Sequence, residues 1–92
     1  IVTRWGGEEF LVLLKDCPLS QAAMIAEKLR RAVSEHTFVL PAGTLMLTAS
    51  LGVAEYEHRE TSTSLFSRAD KALYRAKSGG RNRSEVSTPE AD

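Results

Sequence analysis

Phe10-Leu11-Val12-Leu13-Leu14 is the stretch that most restricts what this chain can become. Successive side chains on a strand point to opposite faces, so five apolar residues in a row present apolar surface on both sides. The run reads as an interior strand that needs a cover over each face. A chain of 92 residues can supply that cover from one small core only, so one domain of modest stability is expected.

The neighbouring segments supply candidate covers. Ile1 to Trp5 is a second β-rich run, and Gly6-Gly7-Glu8-Glu9 between the two runs is the usual signal for a β-hairpin. After Lys15-Asp16-Cys17-Pro18, Ser20 is placed to cap a helix whose stripe Ala22, Ile25, Ala26, Leu29 and Val33 is expected to be buried. Glu27, Lys28, Arg30 and Arg31 fall away from that stripe and read as a solvated face. Thr37 to Leu40, Pro41-Ala42-Gly43 and a long alternating run suggest a second hairpin. In that run Leu45, Leu47, Ala49, Leu51 and Val53 would face one way. Thr44, Met46, Thr48, Ser50, Gly52 and Ala54 would form a small, weakly polar face that could stay open to solvent or to a ligand. Glu55 to Glu60 reads as a charged loop. Thr61-Ser62-Thr63-Ser64 offers caps for a second helix that buries Leu65, Phe66, Ala69, Ala72, Leu73 and Ala76, and Gly79-Gly80 ends it. Arg81-Asn82-Arg83 would lead into a short last strand. The order β, β, α, β, β, α predicts an α+β fold: a mixed or antiparallel sheet with helices packed mainly on one face.

Composition narrows the function classes. Twelve Lys and Arg balance twelve Asp and Glu, so the chain lacks the charge excess that draws proteins to nucleic acid or to acidic membranes, and neither partner is expected. Cys17 is the single cysteine and His36 and His58 stand apart, which excludes an internal disulfide and a cysteine-based zinc site. Cys17 reads as a small buried apolar residue, and a reducing, cytoplasmic setting is expected. No apolar stretch reaches the roughly 20 residues that cross a bilayer. The chain opens at Ile1 within a strand-like run and without an initiator Met, which reads as a piece of something longer.

Two places can carry chemistry. Glycine takes positive φ without a side-chain penalty, so a Gly6-Gly7 turn lets backbone amides approach a phosphate closely, and Glu8 and Glu9 follow at once on alternating faces. A hard cation such as Mg²⁺ is commonly held by one or two carboxylates plus substrate phosphates, which suits that arrangement; on spacing alone, an ordinary hairpin with solubilising acids at its tip is the favoured reading. On the second helix Asp70, Tyr74 and Lys77 share one stripe, and Arg81 follows just past the glycines. Lys77 and Arg81 can meet a phosphate, or merely complement the negative end of the helix dipole.

Taken together, these residues resemble the GGDEF family, the diguanylate cyclases. Arg4-Trp5-Gly6-Gly7-Glu8-Glu9-Phe10 looks like the family signature in its GGEEF spelling. Thr48-Ala49-Ser50-Leu51-Gly52-Val53-Ala54 resembles a later strand, and Arg68 to Lys77 followed by Gly80-Arg81-Asn82 resembles the closing helix and loop. The resemblance covers roughly residues 1 to 86, as the C-terminal part of a GGDEF domain with a palm-like, nucleotidyl-cyclase fold; residues 87–92 are expected to be a disordered tail. It implies a divalent-metal enzyme, using Mg²⁺ or Mn²⁺, that condenses two GTP into cyclic di-GMP and pyrophosphate between two facing GGDEF domains of a homodimer. In this sequence Gly6 and Gly7 would admit the phosphates, and Glu8 would be the metal ligand and main catalytic carboxylate. Glu9 would be a supporting acid, and Lys77 and Arg81 would neutralise the terminal phosphates; Asp70 matches a family position without an assigned role. The family's first half would lie before Ile1, with its partner metal-binding Asp, its guanine-reading residues and the end of its product-inhibition motif. The 92 residues alone are therefore expected to be inactive, and to persist by self-association, by strand exchange or only as a remnant of a longer chain. The alternative within the resemblance is a non-catalytic GGDEF module that binds GTP or cyclic di-GMP, or only dimerises, to regulate an attached domain.

Overall fold

The computed structural model describes residues 2–6, 9–12, 14 and 16–87, with the backbone alone for 2–6 and 9–12. Along them run β1 (Val2–Gly6), β2 (Glu9–Val12), α1 (Leu19–Glu35), β3 (Thr37–Leu40), β4 (Gly43–Met46), β5 (Leu51–Val53), α2 (Ser62–Ser78) and β6 (Ser84–Val86). The α+β class expected from the sequence is the one observed. The strands, however, form three two-stranded sheets, β1–β2, β3–β4 and β5–β6, where one sheet was expected.

Both hairpins are present. β1 and β2 pair antiparallel with Arg4 opposite Phe10 and Gly6 opposite Glu9, so Trp5 is one residue too many on its strand. Such a bulge bends the strand and shifts its alternation by one, so the facing of the acids cannot be counted across from β1. The expected cover over both faces of Phe10–Leu14 falls on side chains outside the described residues except for Leu14, which is exposed. β3 and β4 pair antiparallel from Thr37 opposite Met46 to Leu40 opposite Gly43, and Gly43, at φ 139°, takes a conformation that favours glycine.

The single long strand expected over residues 44–54 divides in two. β4 stays with β3, the chain leaves regular pairing at residues 47–50, and β5 then pairs parallel with β6, Leu51 opposite Ser84 and Val53 opposite Val86. Parallel partners cannot be joined by a tight turn, and α2 is the crossover between them. The backbone bonds that frame this pair are Leu51 N–H to Arg83 O at 3.0 Å and Ser87 N–H to Val53 O at 2.7 Å. Ser87 is buried, and the rest of the tail expected over residues 87–92 lies outside the described residues.

The face of the alternating run expected to stay open is covered toward its end, at Gly52, while Thr44, Met46 and Thr48 are exposed. A Cβ on Gly52 would overlap the backbone carbonyl oxygen of Ala69 and the backbone nitrogen of Leu73, and would lie 2.8 Å from Leu73 Cα. Gly52 therefore lets α2 rest directly on the β5 backbone. α2 answers with its smallest residues: Ala72 and Ala76 are fully buried, and Leu65, Phe66, Ala69 and Leu73 are half-buried, the face expected from the sequence.

α1 packs on the same β5–β6 pair. It buries Ala22 and Ala26 and half-buries Val33, but Ile25 and Leu29 of the expected stripe remain 36% and 44% exposed. A sheet of two three-residue strands is narrower than a full apolar helix stripe, so one side of it is left uncovered. Ser20 is not its cap. The helix begins at Leu19 after Pro18, and the Leu19 N–H donates to Glu55 Oε1 at 2.8 Å, so an acid 36 positions along the chain satisfies an orphan amide and complements the positive helix end. For α2 the cap is Thr61, whose hydroxyl accepts from the Ser64 N–H at 3.1 Å. Cys17, expected to be buried, is only half-buried in the turn before α1.

Candidate functional site

The residues singled out from the sequence fall into an acidic half and a basic half. In the acidic half, Gly6 ends β1 opposite Glu9, the first residue of β2. Gly7 and Glu8 lie outside the described residues, as does the side chain of Glu9, so the expected carboxylate contacts fall outside them too. Among the described residues, no three His, Cys, Asp or Glu side chains come together as a metal site. The donors expected to hold a cation, the Glu8 and Glu9 carboxylates, are hard oxygen ligands of the kind Mg²⁺ or Mn²⁺ takes.

The basic half is built by the end of α2. Lys77 lies half-buried in its last turn. The chain then folds back on the helix: Gly79 N–H donates to Arg75 O at 2.8 Å, Gly80 N–H to Lys77 O at 3.4 Å, and Arg81 N–H to Ala76 O at 2.9 Å. These bonds satisfy the last helix carbonyls and bring Arg81 back against the turn that carries Lys77. Gly80 takes φ 123°, and Arg81 and Asn82 follow at 63° and 48°. Two consecutive non-glycine residues in the left-handed region are costly, about 1–2 kcal/mol for a residue such as Arg and less for Asn. Arg83 helps hold them, its Nε donating to Arg81 O at 3.2 Å. The Arg81 side chain is exposed and makes no hydrogen bond or ion pair among the described residues. The C-terminus of a helix carries partial negative charge, so an anion there has to be held by side-chain cations and not by the helix.

Asp70 and Tyr74, on the same side of α2 as Lys77, are exposed. Asn82 is fixed elsewhere. Its N–H donates to Ser50 Oγ at 3.1 Å, and its Oδ1 accepts from Arg30 Nη1 at 2.9 Å.

Arg30 is the feature sequence reasoning missed. Glu27 and Arg30 were assigned to a solvated face, yet the Arg30 side chain is only 18% exposed and is gripped by both oxygens of Glu27 at 3.0–3.1 Å. Glu27 also accepts from Ser84 Oγ at 2.8 Å. The Arg30 and Ser84 bonds hold the Glu27 carboxyl below the usual carboxylate range, and Glu27 in turn pushes the Arg30 guanidinium up. The available signal was the i, i+3 spacing of opposite charges, but that pairing is common on exposed helix faces and does not reveal a third partner.

A second cluster locks the start of α2. Arg68 donates from Nε to Glu60 Oε2 at 2.7 Å and from Nη2 to Glu60 Oε1 at 2.6 Å, and reaches Glu55 O at 2.6 Å and Ser87 Oγ at 3.0 Å. Arg68, with help from Ser64 and the Glu57 N–H, lowers the Glu60 carboxyl to about 2. An open hollow of about 490 Å³ lies beside it, lined by Leu19, Tyr56, His58 and Arg68 among others. Arg68 there is committed to structural partners, so the basic half at the end of α2 is the better candidate for ligand chemistry.

The family model described as the GGDEF domain of diguanylate cyclases matches residues 1–83. Diguanylate cyclase DgcM of Escherichia coli K12 is 48% identical over 83 residues, which are 90% of this chain and 20% of that protein. The response regulator PleD of Caulobacter vibrioides is 44% identical over 82 residues, 86% of this chain and 18% of PleD. The chain thus spans about a fifth of the length of these relatives. Among solved structures, the GGDEF domain of DgcB from Caulobacter crescentus in complex with c-di-GMP superposes with a TM-score of 0.80 at 32% identity, covering 94% of this chain and 51% of that one. No helix among the described residues is long and apolar enough to cross a membrane.

Proposed function

Because the chain belongs to the GGDEF domain family of diguanylate cyclases, we propose that its protein condenses two molecules of GTP into cyclic di-GMP and pyrophosphate. The observation that carries the proposal is the intact Gly6-Gly7-Glu8-Glu9-Phe10 signature within a family match that also includes the α2 end and its Arg81 turn. In this reading each GTP lies with its triphosphate between the Gly6-Gly7 backbone and the α2 end. Lys77 and Arg81 offset the charge of the terminal phosphates, and Arg81's exposed guanidinium, at the tip of a held turn, supports that role.

Glu8, with Glu9 in support, would hold Mg²⁺ or Mn²⁺. When bound, such an ion favours deprotonation of a ribose 3′-hydroxyl and offsets charge on the phosphates. The hydroxyl oxygen of one GTP attacks the α-phosphorus of the other, pyrophosphate leaves, and a second such step closes the ring. Glu9 accepts or orients the departing hydroxyl proton, and Lys77 and Arg81 hold the terminal phosphates in place before and during the step in which they leave as pyrophosphate.

Each domain supplies one GTP, so two copies face each other as a homodimer. The reaction belongs in the cytoplasm, where GTP is available. The chain covers about half of the DgcB domain chain that it matches, and turnover requires the remainder of such a domain as well as these 92 residues.

The test is formation of cyclic di-GMP from GTP and Mg²⁺ by the complete protein, beside its Glu8→Gln variant. A fall of about 10²-fold or more is expected, the scale seen when one charge-stabilising group is removed from a reacting centre. Unchanged turnover by the variant overturns the role of Glu8. An inactive wild-type protein that still binds cyclic di-GMP replaces the enzyme with a regulatory module.

A further inference from the structure

The turn that carries Arg81 is held from two sides by residues far from it in sequence. From ahead of β5, Ser50 Oγ accepts the Asn82 N–H at 3.1 Å. From α1, Arg30 Nη1 donates to Asn82 Oδ1 at 2.9 Å. Arg30 is itself immobilised, with Nε and Nη2 on the two Glu27 oxygens, and Glu27 is tied to the start of β6 through Ser84 Oγ. The result is a chain of side chains from α1 and β6 to the residue immediately after Arg81.

What that chain holds is a conformation that would not persist unaided. Arg81 and Asn82 are both left-handed, and a residue with a Cβ leaves that region unless its surroundings over-determine it. Asn tolerates it and Arg does not, so the grip falls on the tolerant residue and the strain on its neighbour. If the turn relaxed, the peptide planes on either side of Arg81 would rotate and its side chain would leave in another direction.

We propose that Arg30, braced by Glu27, is a positioning residue for nucleotide binding: through Asn82 it keeps the turn in the one backbone conformation that aims Arg81 at the terminal phosphates of GTP. The proposal rests on the phosphate-binding role given to Arg81 above. It assigns to α1, a helix that carries none of the expected site residues, a share in substrate affinity. The competing account is a staple that only fastens α1 to the β5–β6 pair. Such a staple would affect stability and would leave the affinity of the folded protein alone.

The experiment measures KM for GTP, kcat and thermal unfolding in the complete protein for Arg30→Met, Asn82→Gly, Arg81→Ala and the Arg30→Met/Arg81→Ala double variant. Asn82→Gly keeps the left-handed backbone accessible and removes only the acceptor, so it decides the matter if Arg30→Met does not fold. Arg81→Ala is expected to raise KM about tenfold with a smaller change in kcat, as for loss of a ground-state contact. Arg30→Met and Asn82→Gly should each raise KM about three- to tenfold, and Arg30→Met should add nothing once Arg81 is alanine, the non-additivity of residues acting through one another. Wild-type KM in Arg30→Met and Asn82→Gly beside a raised KM in Arg81→Ala overturns the positioning role and leaves the phosphate role standing. Full additivity in the double variant does the same. Wild-type KM in Arg81→Ala overturns both.

Discussion

Gly52 shows how one missing side chain places a helix. Any Cβ there would enter the backbone of α2 at Ala69 and Leu73, and backbone cannot move aside as the tip of a flexible side chain can. Gly52→Ala is therefore expected to destabilise the domain by about 3 kcal/mol, the upper part of the usual range for overpacking, and calorimetric unfolding of the complete protein checks it. Near-wild-type stability would mean that α2 can ride outward. The residue itself was legible in the sequence, but its meaning was not. It sat in a run of small residues whose face was read as open, and smallness alone cannot tell a surface left bare from one approached closely by another backbone. The placement of Lys77 in the last turn of α2 and of Arg81 just past the glycines was legible, because it follows from helix spacing and from a glycine stop. The left-handed conformation of Arg81 was not, since it arises from the contacts of Asn82 and Arg83 and not from any preference of arginine.

At the level of elements, each helix start is secured by an acid from the segment between β5 and α2. Glu55 receives the first amide of α1, and Glu60 holds Arg68 of α2 with its side chain only 7% exposed. The sequence reading of residues 55–60 as a charged loop was right about composition and silent about this use, because the partners lie up to 36 positions away. The Glu60 carboxyl is lowered from its ordinary value near 4.5 to about 2 by Arg68 first, then by Ser64 and the Glu57 amide. The unfolded chain therefore takes up a proton at Glu60 before the folded one does. The stabilisation is complete above about pH 4.5 and is lost as pH falls through about 2. Glu27, also lowered, acts in the same direction. The unfolding temperature of the wild-type protein should fall across that window, and Glu60→Gln should flatten the fall. An equally steep fall in the variant would remove Glu60 as its source.

For the whole molecule, the buried apolar set among the described residues is four alanines, Ala22, Ala26, Ala72 and Ala76, while large side chains stay in view. Val39 is 83% exposed and Met46 63%, with Leu40, Leu45 and Leu47 beside them on or next to the β3–β4 hairpin. A surface so apolar seldom remains single in water. The 92-residue chain expressed by itself is expected to show a light-scattering mass above its own 10.1 kDa, and a homogeneous 10.1 kDa species would contradict this. The two helices, the two hairpins and the buried face of α2 could be read from periodicity, whereas the break in the long strand after Met46 and the division into three sheets could not. Both depend on where pairing stops between Met46 and Leu51, a choice made by tertiary partners. The parallel pairing of β5 with β6 also governs how the molecule comes together. These strands can meet only after the chain between them has closed a long loop through α2, a slow, non-local event compared with zipping a hairpin. The Arg81 turn is the last stretch of that loop. It is therefore completed in the same cooperative event as the pairing, and amide exchange at Leu51, Asn82 and Ser87 should report one common opening.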